Sequence, residues 1–241
     1  MAILVTGDAS YIGSHTVVQL LERGDEVVVI DNFSNSHPEV LQRIKTITNK
    51  QAYFIEGDVN DGQLLKRVFN DFDINSVIHF AGYKAMRIAV LRYFNPVGTH
   101  PNALIGEDPN GIPNNLMPFV AKVAVGQLPQ VGVFGDDYDT KDGTGVNNYI
   151  YVLDLAAGHL AALNKLSTQA GWQAYNIGMG KGYSVLEVIK SFIKIAKKGI
   201  DYQILPRRAG DITTYLANIQ YTTENLDWRA KANLDEMINY H

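Results

Sequence analysis

Short apolar, β-branched runs alternate with longer stretches of helical periodicity through the first eighty residues of the chain. Ala2–Thr6 reads as a strand and residues 7–13 as a turn. The helix that follows has an apolar stripe of Val17, Val18, Leu20 and Leu21 and is closed by Gly24. Residues 26–30 form a second strand pattern ending at Asp31. A polar segment over 32–37 then leads to a helix from Pro38. Residues 53–55 read as a third strand, Asn60 or Asp61 caps a helix carrying Leu64, Leu65, Val68, Phe69 and Phe72, and residues 76–80 read as a fourth strand. Three βα units in succession predict a doubly wound parallel sheet.

The next junction breaks this rhythm. Residues 77–80 and 88–93 both read as buried strands, yet only seven residues, 81–87, separate them. Parallel neighbours need a crossover of a dozen or more residues, normally helical. Either the two strands turn back on each other, or one has left the sheet, or the chain lacks a piece that its architecture expects.

Beyond Tyr93 the pattern loosens. Residues 95–115, rich in Pro, Gly and Asn, read as a long site-bearing loop. Residues 116–125 suggest a helix, 130–134 a strand, 135–148 a second polar, Gly-rich loop, 154–163 a helix and 174–177 a strand. Ser184 and Glu187 have the spacing of a capping box and open a helix with Val185, Val188, Ile189 and Phe192 inside. A strand over 202–205 closes the regular pattern.

At 241 residues and 46% hydrophobic, the chain can bury a substantial core. A net charge of -4, without a Lys/Arg run longer than a pair, argues against nucleic-acid and membrane-surface partners. The absence of Cys excludes disulfides, thiolate metal sites and cysteine nucleophiles. The start, MAILVTG, lacks the pattern of a signal peptide or membrane anchor, so a cytoplasmic location is expected. The six histidines show no i, i+4 pair, and no metal site is expected.

Gly7 and Gly13 bracket G-D-A-S-Y-I-G between a strand and a helix, the context of a dinucleotide fingerprint or of a turn that merely connects the two. The fingerprint needs a tight turn, close backbone approach to a pyrophosphate, and close helix packing. Here Ser10 occupies the middle position. Asp8 adds a carboxylate, and two unit charges about 4 Å apart repel by roughly 4 kcal/mol at an effective dielectric of about 20. Asp31, eighteen residues after Gly13, stands where an acidic side chain accepts from a ribose 2′-hydroxyl, which favours NAD over NADP. Asp58 is either an adenine-side contact or a turn residue. Arg207, Arg208 and Asp211 in P-R-R-A-G-D form either a phosphate-binding turn or a surface ion-pair turn.

Read in order, TGDASYIGSHTVV, DNFSNS, VIHFAGYKA, LRYFNPVG, GEDPNGIPNNLMPFVA, FGDDYDTKDGTGV, YNIGMGKGYSV and PRRAGD closely resemble the UDP-glucose 4-epimerases of the extended short-chain dehydrogenase/reductase superfamily. The resemblance spans nearly the whole chain. It implies NAD as cofactor and UDP-glucose and UDP-galactose as ligands, interconverted at C4 in galactose metabolism. It also implies a tyrosinate general base in a Y-x-x-x-K motif. In this chain no Tyr has Lys at i+4. Family members carry a helix, a strand bearing a Ser/Thr, and a further helix bearing Y-x-x-x-K between the positions matching Lys84 and Ile88. The expected catalytic Tyr and Lys are therefore absent. The family dimer pairs helices of that same segment, so a family-type homodimer is not expected.

Position by position, the resemblance assigns cofactor contacts to Gly7, Tyr11, Ile12, Gly13, Asp31, Asn32, Asn35, Ser36, Asp58, Val59, Phe80, Ala81, Gly82, Lys84 and Tyr93. It assigns substrate contacts to Phe94, Asn95, Asn115, Leu116, Val133, Phe134, Arg208, Asp211 and Tyr215. Asn147 and Asn148 replace the family's Arg and Asp, which removes a charge-assisted phosphate contact of about 1.5–3 kcal/mol.

The expected architecture is α/β: a truncated Rossmann-like doubly wound parallel sheet with a smaller C-terminal α/β substrate lobe. Residues 1–95, with 153–180 packing on them, form the NAD-binding lobe, and 96–152 with 181–241 form the UDP-sugar lobe. The function implied is an NAD-dependent epimerase that is impaired or inactive. The alternatives are a non-catalytic NAD or UDP-sugar binding protein, or a decayed copy without a role.

Overall fold

The computed structural model describes residues 1–7, 11–34, 37–80, 87–107, 113, 115–169 and 171–240. The chain divides into two compact units, one of residues 1–90, 99–110 and 156–174, the other of residues 91–98, 111–155 and 175–241. Segment 99–110 thus belongs to the first unit, whereas the sequence pattern assigned it to the second lobe.

In the first unit, Ala2–Thr6 (β1), Tyr11–Arg23 (α1), Glu26–Asp31 (β2), Glu39–Thr48 (α2), Tyr53–Glu56 (β3), Gly62–Asp71 (α3) and Ile74–His79 (β4) follow one another. The strands pair in parallel in the order β3-β2-β1-β4. On one face, Val17, Val18, Leu20 and Leu21 of α1 and Ile44 of α2 cluster with Ile3, Val5, Val27 and Val29. On the other, Leu64 and Val68 of α3 cluster with Ala2, Leu4, Val28 and Ile30. Because β1 and β2 are covered on both faces, their sequences are nearly unbroken apolar runs. Local signals set the helix ends. Gly24, at φ +99°, returns its amide to the Leu20 and Leu21 carbonyls. The Asp61 carboxylate accepts from the Gln63 and Leu64 amides at 2.9 and 3.1 Å.

Arg87–Tyr93 (β5) does not extend this sheet. It pairs with Gly171–Ile177 (β9), and among the described residues β1 is the only strand paired to β4. Of the outcomes open at the junction, a turn back onto β4 is not the one seen: β5 lies outside this sheet, the connection being too short to return it parallel to β4. Arg87 holds the start of β5, donating through Nη1 to the Leu166 and Ser167 carbonyls at 3.0 and 2.9 Å.

The second unit holds Asn95–Val97 (β6), Leu116–Ala124 (α4), Val131–Phe134 (β7) and Val146–Tyr151 (β8). After Val152–Leu166 (α5), which runs from the second unit into the first, come Gly182–Ser184 (β10), Val185–Ala196 (α6), Tyr202–Leu205 (β11), Thr214–Tyr215 (β12), Gln220–Leu226 (α7) and Leu234–Asn239 (α8). β8 is the hub, with β10 antiparallel to it and β6 and β12 parallel, while β7 pairs with β11. Two loop expectations are corrected here: residues 95–97 are strand, and the polar segment 135–148 ends inside β8. Pro96, Asn147 and Asn148 disguise them, since Pro and Asn are depleted in strands. The capping box at Ser184 and Glu187 forms as expected, with the Glu187 amide donating to Ser184 Oγ at 3.0 Å and the Ser184 amide to Glu187 Oε2 at 2.9 Å. Among the described residues no helix is long and apolar enough to cross a membrane.

Candidate functional site

Three backbone hydrogen bonds stitch together the carboxyl ends of the first unit's strands. The Phe80 amide donates to Thr6 O (3.3 Å), the Gly7 amide to Ile30 O (3.0 Å) and the Gly57 amide to Asp31 O (3.1 Å). They bring Phe80, Gly7 and Asp31 to one end of the sheet, where open α/β sheets bind ligands. Gly7 sits at φ +71°, a conformation that L side chains rarely adopt, and a Cβ there would lie 3.7 Å from the Phe80 Cβ. The α1 helix then begins at Tyr11. Asp31 is buried, and its Oδ1 accepts from the Phe33 amide at 2.7 Å, which fixes the carboxylate beside the glycine turn. Asn32 Oδ1 accepts from the Ser34 amide at 3.1 Å.

The other cofactor positions divide. Asp58 makes a turn, its Oδ1 accepting from the Asn60 amide and Nδ2 at 2.8 and 2.9 Å. Val59 packs against the α3-side core, and Ile12 and Gly13 lie in the first turn of α1. Asn35, Ser36, Ala81, Gly82 and Lys84 lie outside the described residues, as do Asp8 and Ser10.

Two groups that the sequence reading did not single out also lie at this sheet end. Thr6 Oγ1 hydrogen-bonds His79 Nδ1 between the last residues of β1 and β4. The His159 ring packs 5.2 Å from that of Phe80. Only the strand register and α5 bring these residues together, and no sequence spacing announces either.

In the second unit the substrate positions form two clusters. The rings of Phe94 and Tyr215 lie 4.8 Å apart, and Asn95 donates through Nδ2 to the Asn148 carbonyl at 3.2 Å. In the other cluster, the Arg208 guanidinium lies 4.4 Å from the Phe134 ring centre and pairs with both oxygens of Asp211 at 3.0 and 3.1 Å. Two of its N–H donors are thereby committed, and the fork is held in one orientation. Arg207 repeats the arrangement with Tyr138 (3.9 Å) and the Asp137 carboxylate (2.6 Å). Asn115 stands immediately before α4 and Leu116 is its first residue. Val133 is buried in the core, so any ligand contact from it falls to its backbone.

Asn148 replaces an expected acid and is fully buried. Its Nδ2 donates to Lys181 O at 3.0 Å and its Oδ1 accepts from the Met179 amide at 3.2 Å. A carboxylate has no N–H for the Lys181 carbonyl, so the amide suits this position.

A general base needs a lowered pKa, and the shifted tyrosines move the other way. Burial raises Tyr93, Tyr149 and Tyr175, with Tyr221 adding to the last. Burial pushes Tyr151 up to about 12, assisted by Tyr240 and Asp154. Among the described residues no group of three or more His, Asp or Glu side chains is placed to hold a metal ion.

Comparison with known proteins agrees with these features. Residues 4–90 match the family model of GDP-mannose 4,6 dehydratase, and residues 83–178 match the NAD dependent epimerase/dehydratase family. The two matches overlap over residues 83–90, from within the short junction into β5. The UDP-glucose 4-epimerase of Erwinia amylovora is 41% identical over 322 aligned positions, covering 99% of this chain and 96% of the relative. That of Bacillus subtilis is 42% identical over 320, covering 98% and 94%. The crystal structure of the Bifidobacterium longum UDP-glucose 4-epimerase in complex with NAD+ and UDP superposes with a TM-score of 0.91 at 37% identity, covering 100% of this chain and 96% of that one. The Stenotrophomonas maltophila enzyme, with bound NAD and formylated UDP-arabinopyranose, gives 0.95 at 33% identity, with the same coverage. The 322 aligned positions exceed the 241 residues of this chain by 81, so at least 81 of them have no counterpart here. With a parallel α/β unit, an aspartate-terminated second strand and this degree of identity over nearly its whole length, the chain belongs to the UDP-glucose 4-epimerase family.

Proposed function

We propose that this chain is a UDP-glucose 4-epimerase by descent whose interconversion of UDP-glucose and UDP-galactose is impaired, because the general base and the segment that carries it are missing. The observation that carries this reading is the departure of β5 from the sheet after a junction too short for a crossover. No Tyr has Lys at i+4, and the four tyrosines with shifted pKa values are ionised less at neutral pH than an ordinary phenol.

Among the described residues, Gly7 and Asp31 fit NAD at the first unit's sheet end, while Asp8 and Ser10 of the same sequence motif weaken its hold on a pyrophosphate. Gly7 gives the tight turn before α1, and Asp31 is held as a hydroxyl acceptor within a residue of the Gly7–Ile30 hydrogen bond. The chemistry that NAD supplies in this family is reversible acceptance of the C4 hydride. What this chain lacks is a group to take the 4-hydroxyl proton. Loss of a general base costs roughly 10²- to 10⁴-fold in rate.

The test is incubation with UDP-galactose and NAD, following formation of UDP-glucose. Turnover at least about 100-fold below that of the Erwinia amylovora relative is expected, and equal turnover would overturn the proposal. A second reading, a binding module without chemistry, is favoured by the Arg208–Asp211 pair on Phe134 and the Phe94–Tyr215 pair. It requires saturable heat with UDP-galactose or NAD in calorimetry and no product.

A further inference from the structure

Val77, in the middle of β4, is a β-branched residue with 44% of its surface exposed. It aligns with the buried Leu4 of β1, and Leu4 belongs to the cluster covered by α3. The same sheet face therefore passes from covered to open within one strand spacing. β4 also ends the sheet, since β1 is its only paired neighbour among the described residues. Its six residues, INSVIH, contain no Asp, Glu, Lys, Arg or Pro, the residues with which natural edge strands deter pairing. The opposite edge, β3, is shorter and ends on Glu56. One protective feature is present, a register shift that skips Asn75, but Ser76 to His79 follow β1 residue for residue.

An open edge and an uncovered apolar face on one strand define what fits there. The edge accepts another strand, and the face accepts a helix with an apolar stripe. The earlier crossovers of this unit each supply that combination. A second copy of this chain, pairing through β4, satisfies the backbone but lays two Val77 side chains on the same open face. The relatives carry at least 81 further positions, and the two family matches overlap over residues 83–90, between the end of β4 and the middle of β5.

We propose that the β4 edge with Val77 is a docking surface for a helix–strand segment supplied by another polypeptide, an amphipathic helix over Val77 and an uncharged, β-branched strand paired to β4. It rests on the family and the sheet order, and requires neither NAD binding nor turnover.

The test uses the full chain with a separate fragment, the stretch of the Erwinia amylovora relative between the positions matching Lys84 and Ile88. Native mass spectrometry is expected to show a one-to-one complex, and hydrogen exchange to slow at the amides of residues 74–79. Val77→Lys, an exposed change that leaves the fold intact by circular dichroism, is expected to weaken binding at least about tenfold. Because an isolated fragment can fail to stay soluble, a second version joins it to the C-terminus of the chain through a long flexible linker, raising its effective concentration. No slowing of exchange at 74–79 in the linked protein would overturn the proposal. So would protection confined to other strands, or self-association of the chain alone that Val77→Lys abolishes.

Discussion

His15 shows how a single side chain ties sequence chemistry to folding. It lies fully buried in α1, four residues after Tyr11, whose carbonyl accepts from Nδ1 at 2.7 Å and whose ring meets the imidazole edge-on at 5.4 Å. The donation fixes the proton on Nδ1, and Nε2 is buried without a hydrogen-bond partner among the described residues. Burial lowers its pKa to about 4; the bond to Tyr11 opposes this and the charge of His100 adds to it. The unfolded chain takes up this proton near pH 6.5 and the folded chain only near 4, so stability falls as pH drops through that window. The full effect is about 3 kcal/mol. Urea denaturation between pH 7 and 4.5 is expected to show this loss, and His15→Leu to flatten it.

Among the elements, α6 is the one whose beginning is most fully specified. Ser184 caps it in sequence, and the fold adds a contact the sequence does not suggest, Ser184 Oγ donating to Asp142 Oδ2 at 2.5 Å. Asp142 Oδ1 meanwhile accepts from the Thr144 amide and hydroxyl at 3.1 and 2.8 Å. Burial pushes the Asp142 carboxyl up, but the Ser184 and Thr144 hydrogen bonds and the Lys190 charge outweigh it and hold it below its ordinary value. That contribution is present above the ordinary carboxylate pKa and is lost as pH falls through the depressed one. Ser184→Ala removes the cap and a carboxylate partner together, and is expected to cost about 1–2 kcal/mol at pH 7 in thermal or urea unfolding. The loss should shrink under acid, once Asp142 is protonated. The βα elements of the first unit were legible for the same local reasons, apolar period, Gly24 and Asp61. β8 was not, because its polar Asn148 is satisfied by Lys181 and Met179, more than thirty residues away.

At the scale of the whole molecule, at least 81 aligned positions of the relatives are missing, yet both units keep buried cores. The resemblance implies that the family's dimer helices fall in the missing segment; on that reading sedimentation equilibrium of the chain alone is expected to give a monomer, and a dimer would count against it. The sequence by itself determined the parallel βα order, the caps, the family and the absence of any Tyr-x-x-x-Lys spacing, because periodicity, capping and motif spacing act over a few residues. It also posed the junction problem, since seven residues have a fixed reach. Only the tertiary structure decided the answer: among the described residues β5 pairs with β9 and β4 is left as an edge, Asp58 Oδ1 closes a turn, and Arg208 sits on Phe134 with Asp211. Those outcomes depend on pairing and packing between residues far apart in the chain, and backbone groups left without one partner take whichever other strand the connection allows.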